Sequence, residues 1–281
     1  MANPRTVLIT GCSSGIGRAT ALRLARGDWT VYATARRLEA IADLADSGCR
    51  LLELDVTDDA SMRAAVAEID GPLYGLVNNA GYSLSGAVEG VDLDEARRQF
   101  ETNVFGLVRL TQLVLPGMRA RRSGRIVTIG SMGGRLTFPG GGWYHASKHA
   151  LEALSDALRF ELQGFGVDVV LVQPGLIRTG FADTVVGGIA ERAAVGEGDG
   201  PYATFDASVA AATAGAYEGG MARVLGGDGD DVARVVERAL AARRPRTRYR
   251  VTSSARLLLT LRRLLPDRAW HALVGRTYAR P

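Results

Sequence analysis

Short, almost wholly apolar runs alternate along the chain with longer stretches in which apolar residues return every three or four positions. The short runs are Arg5–Thr10, Thr30–Ala35, Leu51–Leu54, Leu73–Val77, Arg125–Ile129 and Val167–Val172. A strand that is apolar on both faces needs cover on both, as in a parallel sheet. The longer patterns predict helices over Ile16–Arg26, Leu38–Asp46, Ala60–Ile69, Asp92–Arg121 and Trp143–Gln163. With crossovers right-handed, this alternation builds an α/β fold, a Rossmann-type doubly wound parallel sheet.

After residue 180 the texture changes. Residues 187–229 hold eleven glycines and little periodicity, so 181–230 is expected to be a Gly-rich substrate lid carrying a short helix or two. Asp228–Ala242 returns to a helical pattern, and Thr247–Val251 suits a last, edge strand. Leu257–Leu265 and Arg268–Val274 predict two short helices in a C-terminal helical extension over 252–281. No internal repeat is present. Residues 1–281 are expected to form a single domain.

Composition narrows the class. At 47% hydrophobic and 23% charged, the 281 residues match a soluble globular protein. No apolar run is long enough to span a bilayer, and the N-terminus enters a strand without a signal-peptide pattern, so a cytoplasmic location is expected. Cys12 and Cys49 are too few for a disulfide framework or a cysteine metal site. His145 and His149 have the spacing of a zinc helix, but Ala146 stands where a metalloprotease needs its Glu, so no metal is expected. The net charge of +4 is uneven: residues 243–281 carry eleven arginines against the single acid Asp267. The favoured explanation is a solvated arginine face, with Leu257, Leu258, Leu261, Leu264 and Leu265 packing inward. Contact of this tail with an anionic membrane surface is possible but not favoured, and no motif supports nucleic-acid binding.

The chemistry gathers at strand ends. Thr10-Gly11-Cys12-Ser13-Ser14-Gly15-Ile16-Gly17 lies between a first strand and a first helix. Its glycines let the backbone approach a pyrophosphate resting on the helix N-terminus. At the end of the second strand, Arg36 and Arg37 stand where an NAD site carries an acid. A guanidinium there suits the 2′-phosphate of NADP(H), making NAD(H) the less favoured cofactor. Asp55 and Val56, ending the third strand, are placed to meet the adenine. Asn78-Asn79-Ala80-Gly81, Ser131, Pro174-Gly175 and Thr179 follow other strands, at the sheet edge where such folds bind ligands. Asn103 interrupts a helical pattern for which Asn is a poor former.

Lys148 is the only lysine among 34 basic residues, and it stands four residues after Tyr144. One helical turn separates them, so the ammonium is expected to favour phenolate and lower the tyrosine pKa. That would make Tyr144 a proton donor and acceptor usable near neutral pH.

With these motifs in order, the chain resembles the classical short-chain dehydrogenase/reductase (SDR) family. The T-G-x-x-x-G-x-G turn, N-N-A-G, a mid-helix Asn, a Ser thirteen residues before Tyr, Y-x-x-x-K and P-G span residues 5–180. Ala33–Arg37 and the long C-terminal extension are similar to members acting on hydroxysteroids and retinoids. The resemblance implies an oxidoreductase interconverting a ketone or aldehyde and its alcohol, a ketoreductase when run toward the alcohol. It implies that Tyr144 exchanges the proton, Ser131 holds the substrate oxygen, and Lys148 bonds the nicotinamide ribose. Asn103 would position a water leading from Lys148 to solvent. Gly11, Ser14, Ile16, Asn79, Ala80 and Thr179 would contact the cofactor. A homodimer or homotetramer is expected from the resemblance alone.

Leu84, Met132, Leu136, Phe138, Trp143, Phe181 and Val185 are the candidate pocket residues, and their apolar character favours a hydrophobic small-molecule substrate. A non-catalytic dinucleotide-binding sensor or scaffold on the same fold is the alternative. It would not require the four residues Ser131, Asn103, Tyr144 and Lys148 to be kept together.

Overall fold

The computed structural model describes residues 5–192, 200–218 and 224–280. Among the described residues, seven parallel strands form one sheet: β1 (Arg5–Ile9), β2 (Trp29–Ala35), β3 (Arg50–Glu53), β4 (Leu73–Asn78), β5 (Gly124–Ile129), β6 (Val167–Gln173) and β9 (Arg248–Arg250). Their spatial order is β3-β2-β1-β4-β5-β6-β9. The order reverses between β1 and β4, which opens a crevice beyond their C-terminal ends. The Rossmann-type doubly wound sheet expected from the apolar runs is the fold observed.

Strand alternation divides the core into two layers. Val7, Ile9, Val31, Ala33, Val77, Val127, Val170 and Val172 point to one face. They meet Ala21 and Leu24 of α1 (Gly15–Ala25) and Val232, Val236, Ala239 and Leu240 of α8 (Gly229–Ala241). Leu8, Tyr32, Leu52, Leu76, Ile126 and Val169 point to the other. There they pack on α2 (Asp59–Ala67) through Met62 and Ala65, and on α4 (Gly106–Ala120) through Leu110, Val114 and Met118. Apolar area withdrawn from water on both faces is what holds the sheet between its helices.

Polar groups also enter this core, and the Arg125 guanidinium is the clearest case. Arg125, buried at the start of β5, donates to the carbonyls of Ala239 and Ala242 at the end of α8 and pairs with Asp168 on β6 at 2.6 Å. A guanidinium at a helix C-terminus meets both orphan carbonyls and the negative end of the dipole.

Several elements differ from the pattern-based expectation. Leu38–Leu44 forms a 3₁₀ helix in place of an α-helix reaching Asp46. The long helix expected over Asp92–Arg121 is α3 (Leu93–Phe100), a π-helical turn at Glu101–Phe105, and then α4. In the expected lid, α6 (Phe181–Arg192) and α7 (Ala203–Glu218) are longer than a short helix or two, because α7 is rich in alanine, the strongest helix former. Residues 193–199 and 219–223 of that segment lie outside the described residues. Two short strands, β7 (Ile177–Arg178) and β8 (Gly227–Asp228), pair beside the crevice.

The C-terminal helices are α9 (Ser253–Leu264) and α10 (Asp267–Val274). The expected inward set is corrected at two positions. Leu257 and Leu264 face outward, 47% and 72% exposed, whereas Leu258, Leu259, Leu261 and Leu265 pack with Trp270, Met132 and Leu176. Thr252 caps α9 by accepting from the Ala255 amide at 3.1 Å. Among the described residues, no helix is long and apolar enough to cross a membrane.

Candidate active site

At the switch point, β1 and β4 are laced together before either meets a ligand. The Thr10 hydroxyl accepts from the amides of Asn79 and Ala80, each at 2.9 Å. The Asn79 side-chain amide donates back to the carbonyls of Thr10 and Gly11 at 2.8 and 3.1 Å. Gly11 lies at φ 70°, and a Cβ on Gly17 would collide with the Gly11 carbonyl and the Asn79 side chain. Gly17 therefore serves by letting α1 approach the strand ends, not by lining the cavity.

These elements floor a cavity of about 820 Å³. Lining it are Gly11, Ser13, Ser14, Gly15, Ile16, Arg36, Asp55, Val56, Asn79, Ala80 and Gly81. Farther along are Ser131, Tyr144, Lys148, Pro174, Gly175 and Thr179, so one crevice gathers the residues singled out along the whole sheet edge. The first turn of α1 has no acidic residue, and Ser14 makes no side-chain cap bond, which leaves its backbone N–H groups facing the cavity for an anion. Arg36 is exposed at the rim and makes no hydrogen bond or ion pair among the described residues. The Asp55 carboxylate holds Thr57 through its amide and hydroxyl. A dinucleotide's phosphates and ribose fit these donors.

Ser131 ends the approach from β5. Its hydroxyl oxygen accepts from the Gly133 amide at 3.0 Å and caps a short 3₁₀ turn, Met132–Gly134. Tyr144 and Lys148 come from the first two turns of α5 (Gly142–Glu161). The Lys148 ammonium donates to the Ile129 carbonyl at 3.0 Å and lies 5.8 Å from the centre of the Tyr144 ring. Burial lowers the Lys148 pKa to about 8. Burial also raises the Tyr144 pKa, and the hydrogen bond with Ser131 acts in the opposite sense. Lys148 is expected from the sequence to lower the phenol's pKa; in this structure burial sets the net direction upward, and the Ser131 hydrogen bond is the influence that opposes it.

Asn103 is buried in the π-helical turn, where one extra residue re-aims its side chain. Its carbonyl oxygen accepts from the Tyr82 amide at 3.0 Å. Its NH₂ donates to the Tyr82 carbonyl at 2.9 Å and to the Ser147 hydroxyl at 3.1 Å. The side chain does not line the cavity and is fully engaged in tying the segment after β4 to α5.

The apolar candidates divide. Met132, Phe138 and Val185 line the cavity. Leu136 does not: it is buried with Leu176 and Ala255 behind the wall. Trp143 and Leu84 also lie elsewhere, packed with Val91 and Ala96, and Trp143 stacks edge-on with Phe100. One turn of α5 carries Tyr144 inward, and its neighbour Trp143 is thereby directed away. The Phe181 side chain lies outside the described residues.

Sequence patterns did not identify the opposite wall. It comprises Ala212, Thr213 and Tyr217 from α7, Leu258 from α9, and Trp270 and Leu273 from α10. Burial raises the Tyr217 pKa, so this phenol stays neutral. His145 and His149 are not arranged as ligands: His145 is committed to Gly133 and Phe138, and His149 to the His145 carbonyl. Among the described residues no three metal-ligating side chains gather at one point.

Comparison with known proteins agrees with this geometry. Residues 5–187 match the family model described as short chain dehydrogenase. The chain is 36% identical over 268 residues to the uncharacterized oxidoreductase YbbO of Escherichia coli strain K12, covering 94% of this chain and 91% of that one. It is 43% identical over 184 residues to the 3-ketodihydrosphingosine reductase of Bacteroides thetaiotaomicron, 64% of this chain and 66% of that protein. With the mouse 17-beta-hydroxysteroid dehydrogenase type 1 it shares 42% identity over 199 residues, 66% and 58% of the two chains. A short-chain dehydrogenase from Streptomyces avermitilis superposes with a TM-score of 0.77 at 32% identity, covering 98% of both chains. A serine dehydrogenase complexed with NADP+ (TM-score 0.74, 27% identity, 88% and 94% covered) is also similar. So is a Burkholderia phymatum enzyme in complex with NAD (0.76, 26%, 100% and 99%). From its fold, its crevice and these matches, the chain belongs to the short-chain dehydrogenase/reductase family of nicotinamide-dinucleotide oxidoreductases.

Proposed function

We propose that the protein is an NADP(H)-dependent reductase that interconverts a hydrophobic ketone or aldehyde and its alcohol. The observation that carries this is the convergence of Ser131, Tyr144 and Lys148 on one wall of a cavity that is also lined by Met132, Phe138, Leu258, Trp270 and Leu273. The bound dinucleotide would supply or accept the hydride at the substrate carbon. Tyr144, kept protonated by burial, delivers its proton to the carbonyl oxygen in reduction and recovers it in oxidation. Ser131 holds that oxygen through its hydroxyl and stabilises the negative charge that develops on it. Lys148 keeps its charge at neutral pH, bonds the Ile129 carbonyl and lines the cavity, where it would bond the ribose of the dinucleotide. Asn103 keeps the Gly81–Tyr82 segment and α5 in register.

Arg36 supports NADP(H): it lines the crevice near Asp55, which follows β3 and is occupied with Thr57, so its guanidinium would be available to a 2′-phosphate. The apolar substrate class is supported by Met132, Phe138, Leu258, Trp270 and Leu273 around the catalytic oxygens. The relatives named for 3-ketodihydrosphingosine and a 17-beta-hydroxysteroid point to the same class. The tail's arginines suit a solvated surface, and partners beyond a small molecule and further copies of this chain are not proposed.

The test is NADPH oxidation by the purified protein against a panel of aliphatic and alicyclic ketones and aldehydes. Turnover that improves with apolar size is expected. Tight NADPH binding without turnover of any member would favour a dinucleotide-binding sensor instead.

A further inference from the structure

We propose that His145 is a positioning residue whose imidazole holds the 131–138 segment against α5, fixing both the Ser131 hydroxyl and the Phe138 wall of the cavity. The ring is buried and contacts that segment at two points. Its Nε2 accepts the backbone N–H of Phe138 at 3.2 Å. An accepting nitrogen carries no proton, so in the neutral ring the hydrogen resides on Nδ1 and is donated to the Gly133 carbonyl at 3.0 Å. One tautomer satisfies both bonds.

The consequences run in two directions. Gly133 is held through both of its backbone polar groups: its N–H donates to the Ser131 oxygen at 3.0 Å and its carbonyl accepts from His145. The Ser131 hydroxyl is therefore two hydrogen bonds away from the imidazole. On the other side, the Phe138 ring lies 5.9 Å from the imidazole and 6.3 Å from Trp270, so anchoring the Phe138 amide sets an aromatic face of the cavity. Room for the ring is made by two residues without side chains. A Cβ on Gly133 would come within 2.8 Å of the imidazole Cε1, and one on Gly141 within 2.8 Å of its Nε2. Because His145 follows Tyr144 on the same turn, with ring centres 5.6 Å apart, the tether references the segment directly to the proton donor.

A rigid ring with a donor on one side and an acceptor on the other is what this bridge requires, and each amide side chain supplies half of it. Asn at 145 retains a donor near Nδ1 but does not reach Phe138. Gln reaches the Phe138 amide with an acceptor but leaves the Gly133 carbonyl without its donor.

This inference rests on the cavity being the carbonyl-reduction site. It is tested with NADPH and two probe ketones, cyclohexanone and the bulkier trans-1-decalone. His145→Asn should raise the KM for decalone about tenfold while leaving kcat, and both constants for cyclohexanone, within about twofold. His145→Gln should lower kcat about tenfold for both ketones with KM little changed. Identical losses in the two variants, or none in either, would overturn the positioning role. Should the unsubstituted protein reduce neither ketone, the functional proposal is what has failed. The positioning claim is then decided by the imidazole nitrogen-15 spectrum at neutral pH: a protonated Nδ1 with an unprotonated Nε2 supports it, and the opposite tautomer contradicts it.

Discussion

The Lys148 ammonium is bonded to the backbone carbonyl of Ile129, 3.0 Å away at the C-terminal end of β5. A buried point charge is thereby anchored to the sheet on one side and lines the crevice on the other. Its pKa, lowered from 10.5 to about 8 by burial, has a thermodynamic consequence. Between these values the unfolded chain holds a proton that the folded chain has released, so folding stability rises with pH across that window. Below pH 8 both states are charged and the destabilising effect of burying the ammonium is fully present. Relative to Lys148→Met, which cannot titrate, the native protein should therefore gain about 2 kcal/mol of unfolding free energy between pH 7 and pH 10. Urea denaturation of both proteins at the two pH values measures this, and a gap that does not move would show that Lys148 has an ordinary pKa.

Lys148→Arg keeps a positive charge but replaces a compact donor with a planar fork. The ammonium is held between the Ile129 carbonyl, the Tyr144 ring and the cavity, so a guanidinium cannot keep its place and must swing into the cavity or displace those neighbours. Turnover should fall at least tenfold, on the order of 1.4 kcal/mol of transition-state stabilisation. Near-normal steady-state activity would refute the geometric reason for a lysine here.

Asn103 makes three side-chain hydrogen bonds from a position only 1% exposed. Asn103→Ala leaves both the amide and the carbonyl of Tyr82 without these partners and should destabilise the fold by about 3 kcal/mol. It should also loosen α5 beneath Tyr144, lowering kcat more than it raises KM. A thermal unfolding midpoint unchanged from the native protein would contradict the anchoring role.

How much of this was legible in the sequence depends on what each feature rests on. The strands Val7–Ile9, Val31–Ala33 and Val169–Val172 announce themselves because both faces are buried, and a continuous apolar run needs no long-range information. The site was legible for a related reason: Thr10, Asn79, Ser131 and Pro174 are polar or chain-breaking residues at strand ends, and the sheet topology brings those ends together. The π-helical turn was hidden, since it depends on Asn103 reaching Tyr82 and Ser147, and neither neighbours it in sequence. In α9, the leucines at 257, 258, 259, 261, 264 and 265 offer more than one apolar stripe. Only contact with Trp270 and Met132 selects the stripe through Leu258, Leu259, Leu261 and Leu265. The cavity wall from α7, α9 and α10 escaped notice for the same reason: Tyr217, Leu258 and Leu273 resemble core residues until the helices are placed.

Arg36 bears on cofactor choice. If its guanidinium receives a 2′-phosphate, Arg36→Asp both removes a forked donor and adds a repelling charge. The NADPH dissociation constant, measured by fluorescence titration, should rise about a hundredfold, while that of NADH changes by less than about threefold. Equal losses for the two cofactors would remove the basis for preferring NADP(H).

The proton donor is the centre of the proposal, and Tyr144→Phe deletes only its hydroxyl. With NADPH and a ketone that the native protein reduces, single-turnover hydride transfer should slow by about a hundredfold or more, with NADPH affinity nearly unchanged. Transfer at close to the native rate in that variant would contradict the assignment of Tyr144 as the acid.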